Sequence, residues 1–224
     1  NRDLTSLPTR SSSDLKEEAE QFLNQFGYLT FPNTPIIKVE IISQRAGIHV
    51  HVIDDLRQLG LYGTCFKNLK EKRFEILVDS MHYSGLGRSY QFTIAEELGH
   101  ILIHSSMFDE VNSVEDRVRY EGNLNDETHQ LFEMQAKRVG SELLLPKKIF
   151  DPFIRQWCTE NLATLQKENP INEDDLALHI AEKLSPKFGL SNPIILRALR
   201  RWNPNRLIDE LISELKINLI KDAP

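Results

Sequence analysis

Phe92-Thr93-Ile94-Ala95-Glu96-Glu97-Leu98-Gly99-His100-Ile101-Leu102-Ile103-His104 constrains this chain more than any other stretch. Ile94, Leu98 and Ile101 recur at spacings of four and three, which predicts a helix with one apolar face. Glu96, His100 and His104 fall four apart on another face, and Glu97 stands three residues before His100. Such a helix aligns two carboxylates and two imidazoles along one stripe of an otherwise apolar segment. Burying an unpaired charge is costly, so the stripe needs partners or serves chemistry.

The stripe differs by one residue from His-Glu-x-x-His, in which two histidines hold zinc and the glutamate is the general base. Glu96 stands where that pattern has its first histidine.

The remaining sequence bounds what such a helix can belong to. A chain of 224 residues with 40% hydrophobic and 27% charged content suits one large or two small globular domains. A net charge of −6 argues against general nucleic-acid coating. No run approaches the roughly 18 apolar residues of a membrane span. The first residues, Asn1 to Ser6, lack the apolar core of a signal peptide. Cys65 and Cys158 sit in unrelated contexts, so a reducing, cytoplasmic setting is expected.

In chain order, residues 1–12 read as a flexible arm, followed by a helix carrying Leu15, Ala19, Phe22 and Phe26, with an Asp14/Glu17 capping box and a stop at Gly27. The turn at residues 32–35 leads to a helix over residues 36–46, with a strand as the alternative, and Ile48 to Val52 alternates as a strand. His49 and His51 then share one face, read as two solvent-facing histidines rather than a metal pair. Residues 62–69 and 74–78 flank a charged turn and predict a hairpin, giving a small antiparallel sheet. Residues 79–88 read as a loop with a solvated His82, and residues 105–125 read as a long loop. A second long helix starts near Asp126, with Phe132, Ala136, Val139 and Leu143 as its buried stripe and Gln135 also inward. Residues 13–150 are expected to form one domain and residues 151–224 a helical segment. Within that segment, Phe188-Gly189-Leu190-Ser191 joins two helices in a helix-turn-helix outline, and a further amphipathic helix spans residues 207–217. Between Lys183 and Arg206 the chain has six basic residues and no acidic one, among them Lys187, Arg197, Arg200 and Arg201.

Two blocks give the chain a resemblance to a known family. Residues 91–104 resemble the R-F-T-x-A-H-E-x-G-H-x-x-x-H signature of the ImmA/IrrE-type metallopeptidases, and residues 135–146 are similar to that family's E-A-N-x-F-A-x-x-L-L-M-P block. The resemblance covers roughly residues 13 to 203. It implies an α+β, zincin-like metallopeptidase domain, with packed helices on a small sheet, that acts on helix-turn-helix repressors in stress, prophage or mobile-element control. It places the catalytic general base at Glu97 and the metal ligands at Glu96, His100 and Gln135. Two of these three ligand positions, Glu96 and Gln135, depart from the family's His and Glu. His104, His129 and Glu133 are the available substitutes. The implied cofactor is zinc or another divalent metal such as manganese or magnesium, or none if the site is degenerate.

Three functions follow: a pseudopeptidase that binds a repressor or other protein partner, an active metallo-endopeptidase using Glu97, and a nucleic-acid binder acting through the basic C-terminal helices.

Overall fold

A computed structural model of the chain describes residues 10–26, 37–85, 90–167, 172–200, 207–215 and 217. The arm over residues 1–9, the Gly27 stop, the turn at 32–35, residues 86–88 of the expected loop, and Arg201 and Arg206 lie outside them. The described residues up to Leu144 form one unit and those from Leu145 onward form another.

The first unit opens with α1 (Ser12–Phe26). Its cap is one turn earlier than expected: the Ser11 hydroxyl accepts from the Asp14 amide, and the Asp14 carboxylate accepts from the Ser11 amide. α2 (Val39–Arg45) leads into β1 (His49–Ile53), and β2 (Gly63–Asn68) and β3 (Arg73–Asp79) form the hairpin. β3 lies in the middle of the sheet, antiparallel to β2 and parallel to β1. The sheet is therefore mixed, not antiparallel. Alternating hydrophobicity assigns residues to faces but does not specify a strand's neighbour or its direction.

Two stretches expected to be loops contain helices. α3 (Ser80–Gly85) starts where the Asp79 carboxylate accepts from the Met81 and His82 amides. After α4 (Tyr90–Ile103), residues 105–125 hold a 3₁₀ turn (Ser105–Asp109) and α5 (Val114–Gly122), which Ser113 caps by accepting from the Asp116 amide. α5 buries Arg117 and Tyr120, so its inward face carries little hydrophobic signal.

α6 (Asp126–Leu144) is the chief partner of α4. Two glycines set their separation. A Cβ at Gly99 would lie 2.6 Å from the Ala136 carbonyl oxygen, and one at Gly140 would lie 2.9 Å from the Ala95 carbonyl carbon. Close backbone approach brings the polar stripe of α4 within reach of side chains on α6. Behind it, Ile94, Leu98, Phe132, Val139 and Leu143 form the core, with α1 on α6 and the sheet against α4.

The second unit is all-helical: α7 (Lys147–Glu160), α8 (Leu162–Lys167), α9 (Glu173–Phe188), α10 (Asn192–Leu199) and α11 (Leu207–Leu215). Gly189, at φ +65°, ends α9 in the left-handed conformation before Ser191 starts α10. Phe150, Ile154, Ile180, Leu184, Ile195 and Leu211 are buried in this unit. No helix among the described residues is long and apolar enough to cross a membrane.

Candidate functional site

The α4 stripe and the facing side of α6 line a cleft of about 400 Å³ in the first unit. Leu61, Tyr62 and Phe92 form its apolar wall, and Glu96, Glu97, Glu121 and Glu133 supply carboxylates. Arg117, Lys137, His82 and His129 also line it. His82 is not simply solvated: its Nε2 lies 2.9 Å from the Thr93 hydroxyl.

Glu133 and Lys137 stand one turn apart on α6, and the close helix pair directs both at α4. Lys137 Nζ lies 3.3 Å from Glu96 Oε1 and 3.0 Å from Glu133 Oε2. The other Glu133 oxygen is 3.3 Å from His100 Nε2. Gln135, two residues on, is turned roughly 200° around the helix from Glu133 and so cannot join it. It is buried instead against His104, whose Nε2 lies 3.0 Å from Gln135 Oε1. The two imidazoles meet through their Nδ1 atoms at 3.0 Å, and Phe132 packs on both rings, with centroids at 4.4 Å from His100 and 4.1 Å from His104. The Glu133 carboxylate takes the His100 Nε2–H, so His100 Nδ1 accepts from the His104 Nδ1–H, and His104 Nε2 accepts from the Gln135 amide N–H once the amide is turned to suit. Glu133 thus sets the tautomer of both imidazoles.

The electrostatics follow from burial. Burial pushes the Glu96 carboxyl up to about 8, against the pull of Lys137 and with added repulsion from Glu97 and Glu133. Burial would also raise Glu133, but its bonds to His100 and Lys137 hold it well below the usual carboxylate range. The pair therefore shares its proton unequally, with Glu96 as the acid and Glu133 as the carboxylate. Burial keeps His104 neutral, lowering it to about 4, and lowers His100 as well.

Glu97 sits deeper, 7% exposed, with burial raising its carboxyl to about 7. It is hydrogen-bonded to the Cys65 thiol and lies near the Arg117 charge. Among the described residues, its Oε2 has no hydrogen-bond partner. Arg117 is 2% exposed; its guanidinium bonds Glu121 and lies 3.0 Å from Met107 Sδ. Burial works against that charge, but Cys65, Glu97 and Glu121 hold the arginine pKa above its ordinary value. Sequence reading missed Arg117, Cys65 and Lys137. The Ser113-x-x-Asp116 cap was a signal for α5, while Lys137 gave none beyond its place four residues after Glu133.

Elsewhere, His49 and His51 are exposed on β1, and His51 Nε2 lies 2.7 Å from Glu75 Oε2. In the second unit three of the expected basic residues have partners within the chain. Lys187 lies over the Trp157 ring at 5.8 Å, Arg200 pairs with Asp174 at 2.9 Å, and Arg197 also has a partner.

A helix bearing Glu97 and His100, packed on a second polar helix and a three-stranded sheet, defines an α+β, zincin-like fold. Residues 87–191, just under half of the chain, match the family model of the IrrE N-terminal-like domain. Over those residues the resemblance to the ImmA/IrrE-type metallopeptidases is shown, and the protein is metallopeptidase-related. No curated protein matches the chain.

That family implies zinc, and the cleft can be tested for it. Zinc takes deprotonated ligands at about 2.0–2.3 Å and leaves a position for water. Here Gln135 faces His104, and the Lys137 ammonium bonds both Glu96 and Glu133. The cleft residues do not fit the metal as they stand.

Proposed function

We propose that this protein is a metallopeptidase-like regulatory protein of the ImmA/IrrE type that holds a segment of a protein partner in the α4–α6 cleft without cutting it. The observation that carries this reading is Lys137, whose ammonium stands between Glu96 and Glu133, with the other Glu133 oxygen on His100. One positive charge there bonds a carboxylate oxygen of each glutamate that a metal would otherwise draw. What remains is a pre-formed cleft with an apolar wall of Leu61, Tyr62 and Phe92, suited to a segment of a protein partner. By the family resemblance, the partner is a helix-turn-helix repressor or similar protein in stress, prophage or mobile-element control.

The test is a binding and cleavage assay on candidate repressors, run beside elemental analysis of the purified protein. The expected result is binding without cleavage, no stoichiometric metal dependent on His100, and weaker binding after Tyr62→Ala, which removes exposed cleft wall. Metal-dependent cleavage abolished by Glu97→Gln would sink this reading.

That outcome would favour a second one, an active endopeptidase with Glu97 as general base. It is supported by the Glu97 carboxyl, which burial tunes to about 7 with one oxygen unpartnered. Under it, Lys137 must leave the carboxyl pair before any chemistry begins.

A further inference from the structure

β1 is an edge strand of the sheet. Alternate side chains of a strand share a face, so His49 and His51 stand together, and the parallel register sets His49 beside Glu75 on β3. One ligand atom from each of the three residues lies within 4.8 Å of the others. The imidazoles are exposed, whereas Glu75 is 4% exposed.

Its neighbours hold Glu75 for a ligand. Arg73 Nε donates to Oε1 at 2.9 Å and Asn68 Nδ2 donates to the same oxygen at 3.3 Å, which leaves Oε2 facing His51. Burial alone would raise this carboxyl, but the bonds from Arg73 and His51 keep it below the usual range and ionised.

We propose that His49, His51 and Glu75 form a surface site for a divalent transition-metal ion, with two imidazoles and one carboxylate as ligands and a fourth position open to solvent. This donor set favours zinc, nickel or copper over magnesium and calcium, which take more oxygens. Bonds of about 2.0–2.2 Å in a tetrahedron bring ligand atoms to roughly 3.3–3.6 Å from one another. Rotation of two exposed imidazoles closes that gap with no backbone change. Arg73 and Asn68 act as the outer partners that fix the carboxylate. The bound ion would clip edge strand β1 to the central strand β3. The site is independent of the cleft and of the partner-binding reading.

The experiment is calorimetric titration of the full, tag-free chain with zinc chloride, beside His49→Ala, His51→Ala and the double variant. Both substituted side chains are exposed, so folding is retained, and an unchanged metal-free melting temperature verifies it. The expected result is one saturable zinc site, no comparable binding of magnesium, and affinity weakened by about tenfold or more in each single variant. No saturable zinc binding by the wild-type chain, or zinc binding that persists in the double variant, would overturn the proposal.

Discussion

In the α4–α6 cleft, the Lys137 ammonium bonds Glu96 and Glu133, and Glu133 meets His100, whereas His49, His51 and Glu75 meet at an exposed edge of the sheet. The first cluster stands where the family resemblance points to a metal; the second lies where the resemblance says nothing. Yet the first is buried, with the Lys137 ammonium bonded to both its carboxyl groups. The second also has its carboxylate held, by Arg73, Asn68 and His51, but its two imidazoles are exposed. Ligand-type residues at the right spacing are therefore insufficient. What decides is whether the ligand side chains have room to turn toward an ion.

If the cleft cluster belongs to the core and the sheet cluster does not, substitutions should separate them steeply. Phe132→Ala removes a fully buried ring that packs on both cleft imidazoles, and should cost about 3–5 kcal/mol in urea unfolding. Glu97→Gln tests the buried carboxyl through pH. A carboxyl raised from 4.5 to about 7 in the folded state contributes stability that is fully present below 4.5 and lost as pH rises through 7. The variant should therefore lack a loss of roughly 3 kcal/mol that wild type shows over that window. His104, lowered to about 4, works the other way; its contribution is present above 6.5 and lost as pH falls through 4. Stability of Glu97→Gln that tracks wild type from pH 4 to 8 would remove Glu97 from this account.

Gly99→Ala should cost about 1–3 kcal/mol by forcing α4 from α6, and should weaken the Lys137 contacts with Glu96. Lys137→Ala leaves the cluster without its cation. Because Lys137 is 41% exposed, solvent screening limits the expected loss to about 1–2 kcal/mol, well below that of a fully buried pair. Smallest of all, His49→Ala and His51→Ala should each change metal-free stability by less than about 0.5 kcal/mol. A larger loss would make the sheet cluster structural as well.

Periodicity made much of this legible. The α4 stripe, the Phe132 stripe of α6 and the β2–β3 hairpin follow from sequence because each repeats its apolar residues with one period. α5 did not show itself, because a short helix that turns Arg117 inward has no such repeat. The sheet's parallel pair was likewise hidden, since alternation is the same in either direction. The deepest gap was at Gln135 and Glu133. Both lie on α6, about 200° apart around the helix, and the way α6 is rotated against α4 determines that Glu133 and Lys137, not Gln135, face Glu96. Tertiary geometry of that kind leaves no local mark in sequence.

That Lys137 takes the place of a divalent cation is tested most directly by transition-metal binding in the His49→Ala/His51→Ala background, where the sheet site is removed, with and without Lys137→Ala. The expected result is no stoichiometric metal in that background, and a metal site that appears with Lys137→Ala and disappears again on adding His100→Ala. One equivalent of metal bound with Lys137 intact, and lost on His100→Ala, would contradict it.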